Sequence, residues 1–258
     1  MDLYDDDLTG DGHWAFGTGF ADPLAGIDAP PASPELAAYC LALGDDALVM
    51  SHRLQEWCTR APELEDEVAI ANVALDLLGQ ARLLLARTGR GEDDLAFGRD
   101  AAEFRSVRLA EAANGDFAHL VVRLLLFATW RLAILGGLRD HPDPVLAAIA
   151  AKGVKEVAYH RDYAAGWAIR LGDGTAESHR RMRAALEALW PLVPDLHADH
   201  PGARAEFETV VADVLARATL DAPATTGRAA PRGEHLPELA DAVAEMQSVA
   251  RALPGATW

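Results

Sequence analysis

Cysteine is scarce in this chain of 258 residues, and so are long uninterrupted apolar runs. A membrane-spanning helix needs about 20 consecutive apolar residues, whereas the longest candidate, Leu124 to Leu138, is interrupted by Arg131. The acidic N-terminus lacks the basic segment that opens a signal peptide. On one continuous helix, Cys40 and Cys58 would lie about 27 Å apart, too far to form a disulfide. These absences predict a cytoplasmic chain with reduced thiols and no membrane span.

Basic residues are also few, with 23 Lys and Arg against 40 Asp and Glu, a formal net charge of −17. This balance argues against nucleic-acid binding, which requires clustered cations to neutralise phosphates. Residues 1–33 contain seven aspartates and no Lys or Arg. We therefore expect an acidic, disordered extension over 1–33 and a helical domain over 34–258. Trp14, Phe16 and Phe20 leave a docking arm as the alternative.

No segment alternates apolar and polar residues with the period of two that is typical of a strand, so we predict an all-α fold. Capping residues such as Ser33, Asp116, Asp143 and Thr175 mark helix starts. The predicted helices cover about 34–59, 62–89, 116–138, 143–171, 175–190, 203–220 and 236–253, and 92–114 is ambiguous with one brief helix near 101–109. Four of them are about 25 residues long, which indicates an up-down four-helix bundle with additional C-terminal helices.

Such bundles often hold two iron or manganese ions, but the ligands for this site are missing. The site requires a carboxylate from each of two helices and a Glu-x-x-His pair from each of the other two. Residues 117–139 contain no Asp or Glu, and no histidine occurs between Arg53 and Ala118. Glu156 and His160 are four residues apart instead of three. The sequence therefore predicts that this chain holds no metal and no other cofactor.

Polar residues nevertheless occupy inward-leaning helical positions. The cluster that we predict from them consists of Asp45, Asp76, Lys152, Lys155, Glu156 and His160. Because buried charge is normally matched by charge, we expect Asp76 or Glu156 to pair with a lysine of the cluster or with Arg123. The alternative is a single metal ion bound by Glu156 and His160.

Several distinctive blocks occur in order along the chain. They include residues 39–58 (YCLALGDDALVMSHRLQEWC), 71–82 (ANVALDLLGQAR), 155–160 (KEVAYH), 170–175 (RLGDGT) and 253–258 (LPGATW). In this order they resemble the structural-subunit (PaaC) family of ring 1,2-phenylacetyl-CoA epoxidases. The resemblance extends over about residues 35–258 and leaves out the acidic N-terminal extension.

The resemblance implies a ferritin-like fold and a role in aerobic phenylacetate degradation. In that family the chain is a non-catalytic scaffold for a related catalytic subunit, which carries the di-iron centre and binds the CoA thioester. That complex epoxidises the aromatic ring with dioxygen, using electrons that a reductase with FAD and an iron–sulfur cluster relays from NADPH. The resemblance therefore places the cofactors in partner subunits.

Four residues are candidates for the contact with such a partner, since aromatic and arginine side chains dominate protein interfaces. They are Trp57, Arg161, Trp167 and Trp258. The alternative is that the tryptophans belong to the core. Two other functions remain open, namely an independent ferritin-like metalloenzyme that uses Glu156 and His160, and a helical adaptor unrelated to oxygenases.

Overall fold

The computed structural model describes Leu24, residues 26–224 and residues 227–254, and these residues form ten α-helices and no strand. The helices are α1 Pro34–Gln55, α2 Leu64–Arg87, α3 Glu92–Phe97, α4 Arg108–Glu111, α5 Phe117–Leu138, α6 Pro144–Gly172, α7 Ala176–Leu189, α8 Val193–Ala198, α9 Arg204–Arg217 and α10 Glu238–Ala252. The all-α prediction is confirmed. The acidic extension predicted over 1–33 falls mostly on residues 1–23, which lie outside the described residues together with Trp14, Phe16 and Phe20.

The predicted caps start the long helices. The side chains of Ser33, Asp116, Asp143 and Thr175 each accept a hydrogen bond from a backbone N–H in the first turn of the helix that follows. The α1 helix ends at Gln55 instead of near residue 59, where Thr59 adopts a φ of 82° that cannot continue a helix. Between 92 and 114, the single brief helix expected near 101–109 is replaced by α3, α4 and a 3-10 turn at Ala101–Glu103.

Helices α1, α2, α5 and α6 form the bundle, and α1 and α5 run antiparallel. Trp57, just after α1, stacks edge-to-face on Phe117 at the start of α5, whereas Leu43 on α1 accepts a hydrogen bond from Arg131 farther along α5. The α2 helix is antiparallel to α6, because Asp66 meets Tyr163 and Gln80 meets Glu156.

The five residues 139–143 link α5 to α6, a length typical of antiparallel neighbours. Since α2 and α5 are then both antiparallel to α6, they run parallel to each other. Residues 88–116 must therefore cross from one end of the bundle to the other. This single long crossover is the ferritin-like arrangement, and it differs from a bundle in which every connection is a short turn.

Two helices, α2 and α5, are long and apolar enough to cross a membrane by length and composition. Arg131 interrupts the apolar run of α5, as the sequence shows, but the most apolar window of this helix still has a mean hydropathy of 1.7. In the fold, 78% of that window is buried, as expected for the core helix of a bundle. The corresponding window of α2 is 44% buried, so much of α2 faces outward.

Candidate functional site: the polar seam between α2 and α6

Polar side chains line the contact between α2 and α6 from one end of the bundle to the other. We call this set the polar seam: Asp66, Asp76, Gln80 and Arg87 on α2, and Trp167, Tyr163, His160, Glu156, Lys152 and the cap Asp143 on the α6 side. The α2 members pair with the α6 members in antiparallel order. The seam lies where ferritin-like bundles place metal ligands, so its hydrogen bonds decide what chemistry the interior supports.

At the middle of the seam, a chain of hydrogen bonds crosses all four bundle helices. Arg131 on α5 donates its Nε to Gln80 Oε1 at 2.8 Å and an Nη to the Leu43 carbonyl of α1 at 3.3 Å. Gln80 Nε2 donates to Glu156 at 2.9 Å, and Lys152 Nζ donates to the other oxygen of that carboxylate at 2.5 Å. The centre of the bundle therefore contains a guanidinium, an amide and a lysine-paired carboxylate.

Arg131 is fully enclosed, and burial lowers the pKa of its guanidinium to about 10, so it stays charged at neutral pH. The hydrogen bonds around Arg131 require α6 to pack closely against α2 and α5. A Cβ on Gly153 would lie 2.9 Å from a Leu135 methyl carbon and 3.4 Å from the Gln80 amide carbon. Glycine thus lets α6 come near enough for Glu156 to reach Gln80.

One turn farther along the seam, His160 Nε2 lies 3.0 Å from an Asp76 oxygen. His160 is buried, whereas the Asp76 side chain is 37% exposed, so the pair joins the interior to the surface. His160 therefore bonds to Asp76, and Glu156 bonds to Gln80 and Lys152.

At the end of the seam, Asp66 accepts hydrogen bonds from Tyr163 Oη at 2.8 Å and Trp167 Nε1 at 2.9 Å. Burial raises the pKa of Tyr163, and the Asp66 carboxylate raises it further, so the phenol remains a donor. Trp167 also packs edge-to-face on Phe117, at a ring-centroid distance of 5.1 Å. These contacts fix the end of α6 against α2 and α5.

The predicted polar cluster is only partly one cluster. The structure brings Asp76, Lys152, Glu156 and His160 to the seam. Asp45 lies elsewhere, fully buried and bonded to the Arg99 guanidinium at 2.5 and 2.9 Å. Lys155 is exposed.

The ion-pair partners also differ from the expected set. Glu156 pairs with Lys152, as one version of the prediction had it. Arg123 instead donates to the Ala112 carbonyl and to Asn114 near the start of α5. Arg131, one of four buried arginines among the described residues, is not part of the predicted cluster, although it is the charged residue that interrupts the apolar run Leu124 to Leu138.

The candidate interface residues lie in different environments. Trp57 is 6% exposed and packs on Phe117 in the core, so it is not available to a partner. Trp167 is half-buried at the seam, and Arg161 is half-buried beside the exposed Asp162. Trp258 lies outside the described residues.

Comparison with known proteins assigns the family. The family model for "Phenylacetic acid catabolic protein" matches residues 28–258. The chain is 40% identical over 249 residues to the C-type subunit of the 1,2-phenylacetyl-CoA epoxidase of Escherichia coli strain K12, an alignment that covers 87% of this chain and 99% of the relative. The resemblance inferred from the sequence blocks is thereby confirmed, and the chain belongs to the phenylacetic acid catabolic protein family.

Proposed function

We propose that this chain is a cytoplasmic, non-catalytic subunit of a phenylacetyl-CoA epoxidase complex. In this role it packs against a related catalytic subunit that carries the di-iron centre, while NADPH, FAD and the iron–sulfur cluster belong to the reductase. The observation that supports the proposal most strongly is the guanidinium of Arg131 at the centre of the bundle. The identity to a C-type epoxidase subunit supports the membership in such a complex.

The donor set at the centre does not fit two metal ions. Two divalent cations need several carboxylates and imidazoles that have free lone pairs. Here the Glu156 carboxylate is bonded to Lys152 and Gln80, and the Arg131 cation would repel a metal ion. The positive charge that a metal would supply is already present in the side chain of Arg131.

The outer side of α2 offers a surface for the catalytic subunit. Leu64, Val68 and Leu75 are 70%, 55% and 61% exposed. At 100° per residue they point within about 40° of one another, so they form one apolar stripe. Tyr159 on the adjacent α6 is exposed as well. A contiguous apolar stripe of this kind is typical of a protein–protein interface.

Metal content tests the absence of a di-iron centre. The chain should be expressed alone in iron-supplemented medium, purified, and analysed for iron and manganese per chain. We expect no tightly bound pair of ions. Two firmly held irons per chain would overturn the proposal and assign oxygen chemistry to this subunit.

Co-purification with the catalytic subunit tests the surface. We expect Leu75→Glu to weaken the complex, because it places a charge in the apolar stripe. Val249→Glu is the matched control, since Val249 is a similarly exposed apolar residue on α10. If both variants retain the partner as the natural chain does, the stripe is not the interface.

A further inference from the structure

Three side chains of metal-binding type converge where α10 lies against the end of α1, outside the polar seam. His52 lies in the last turn of α1, and Glu56 is the residue that caps this helix. Residues four apart share a helix face, and Glu245 on α10 faces them. One ligating atom from each of the three lies within 4.8 Å of the other two. Within the part of the chain that the structure describes, no other group of three such side chains meets so closely.

The imidazole of His52 has a ring nitrogen available to a ligand. Its Nε2 is buried and has no hydrogen-bond partner. An unpaired buried nitrogen costs free energy, so a partner is expected at this atom. A neutral imidazole is the form that binds metal ions.

The carboxylate of Glu56 is held in place by neighbours that do not exhaust its oxygens. Arg53 donates to Oε1 at 3.0 Å and Asn114 donates to Oε2 at 2.9 Å. An ionised carboxylate has about four acceptor positions, so each oxygen can take one more contact. Neighbours that orient a carboxylate in this way are typical of metal sites.

Glu245 brings a second negative charge beside Glu56. Two carboxylates so close repel each other, and a cation between them removes the repulsion. Arg53 pairs with Glu56 and Arg123 also lies near this carboxylate, whereas no ion pair among the described residues involves Glu245. Glu245 is exposed, so a change of its side-chain rotamer can bring the ligand atoms to the spacing of about 3.4 Å in a tetrahedral zinc site.

We propose that His52 Nε2, Glu56 and Glu245 bind one divalent first-row transition-metal ion, such as Zn²⁺, with water completing the coordination. One imidazole and two carboxylates suit such ions better than Ca²⁺ or Mg²⁺, which prefer oxygen ligands alone. The site is structural, because the ion would link α10 to α1. The α10 helix is also held by Gln247, whose amide donates to the Ala96 and Arg99 carbonyls, by Arg251, which donates to the Arg99 carbonyl, and by Arg53, which donates to the Glu238 carbonyl.

Metal titration of the full chain tests the site. The protein, freed of metal with EDTA, should be titrated with ZnCl₂ by calorimetry and with CoCl₂ by visible absorption. We expect one equivalent per chain and a rise in Tm with Zn²⁺. Glu245→Gln and His52→Ala should each weaken binding at least tenfold and abolish the rise in Tm. Glu187→Gln, an exposed glutamate on α7, is the matched control and should bind as the natural chain does.

Any of three results would contradict the inference. One is the absence of a stoichiometric binding step in the natural chain. Another is an unchanged affinity in Glu245→Gln, which replaces an exposed side chain and is expected to fold even if His52→Ala does not. A cobalt spectrum that does not change between the natural chain and His52→Ala would also remove the imidazole from the site.

Discussion

Replacing Gln80 by leucine should be the most damaging single change in the polar seam. Gln80 is 1% exposed and joins two charged groups, since its oxygen accepts from Arg131 and its nitrogen donates to Glu156. Leucine has a similar volume, so the loss is one of hydrogen bonds and not of packing. Each hydrogen bond to a charged group contributes about 1.5–3 kcal/mol. We therefore expect Gln80→Leu to lower the free energy of unfolding by about 3–5 kcal/mol.

The double variant Gln80→Leu/Arg131→Met distinguishes the loss of hydrogen bonds from a poor fit of the leucine side chain. In Gln80→Leu the buried Arg131 guanidinium loses the acceptor of its Nε and keeps only the Leu43 carbonyl, whereas Arg131→Met in addition removes this poorly paired charge. Replacing both partners by apolar groups of similar shape is far less costly than removing one of them. The double variant Gln80→Leu/Arg131→Met should therefore unfold at a higher urea concentration than Gln80→Leu alone, although each substitution removes a native bond.

Urea unfolding followed by circular dichroism measures these differences, and thermal unfolding gives a second reading of about 2–4 °C for each kcal/mol. Gln55→Leu is the control, because Gln55 is an exposed glutamine on a bundle helix and should change stability by less than about 0.5 kcal/mol. The reasoning is refuted if Gln80→Leu behaves like this control, or if the double variant loses the sum of the two single losses.

Two further predictions concern ion pairs outside the centre of the bundle. Asp46 is fully buried and bonds both Nη atoms of Arg232, so Asp46→Ala should cost about 3–5 kcal/mol in urea unfolding, and a cost below about 1 kcal/mol would contradict the structure. The guanidinium of Arg87 lowers the pKa of Asp143 below its ordinary value near 3.8. This pair therefore stabilises the fold above that pH and ceases to do so as the pH falls through the lowered pKa. Arg87→Met should flatten the acid side of a stability–pH profile, and an unchanged profile would refute the assignment.

Helix starts and the core helix could be predicted from the sequence because they depend on local chemistry. Ser33, Asp116, Asp143 and Thr175 cap helices with their own side chains within three residues, and a capping residue is visible in the sequence itself. The absence of Asp and Glu in 117–139 likewise excludes carboxylate ligands on α5 without any knowledge of the fold. Predictions of this kind need only neighbours along the chain.

The partners of buried charges could not be predicted, because they come from distant segments. Asp45 and Asp46 are adjacent, yet both are fully buried, which a single helix face does not explain. Asp45 bonds Arg99 and the Arg105 backbone of the crossover, whereas Asp46 bonds the Val107 backbone of the same crossover and Arg232 of the C-terminal segment. Helical periodicity predicts which residues point inward. Their hydrogen-bond partners, however, come from the crossover 88–116 and the C-terminal segment.

If the proposed interface is right, one side of α2 serves folding and another serves assembly, and this can be tested. One side of the helix carries Gln80 into the polar seam, whereas another side presents the exposed apolar stripe that includes Leu75. If the stripe serves the catalytic subunit, Leu75→Glu should leave the urea midpoint of the isolated chain nearly unchanged, because an exposed side chain contributes little to the fold. The same variant should lose the partner in co-purification. Gln80→Leu should instead cause a large loss of stability in the isolated chain. A Leu75→Glu chain that unfolds as easily as Gln80→Leu would mean that the stripe belongs to the core of this subunit and not to its interface.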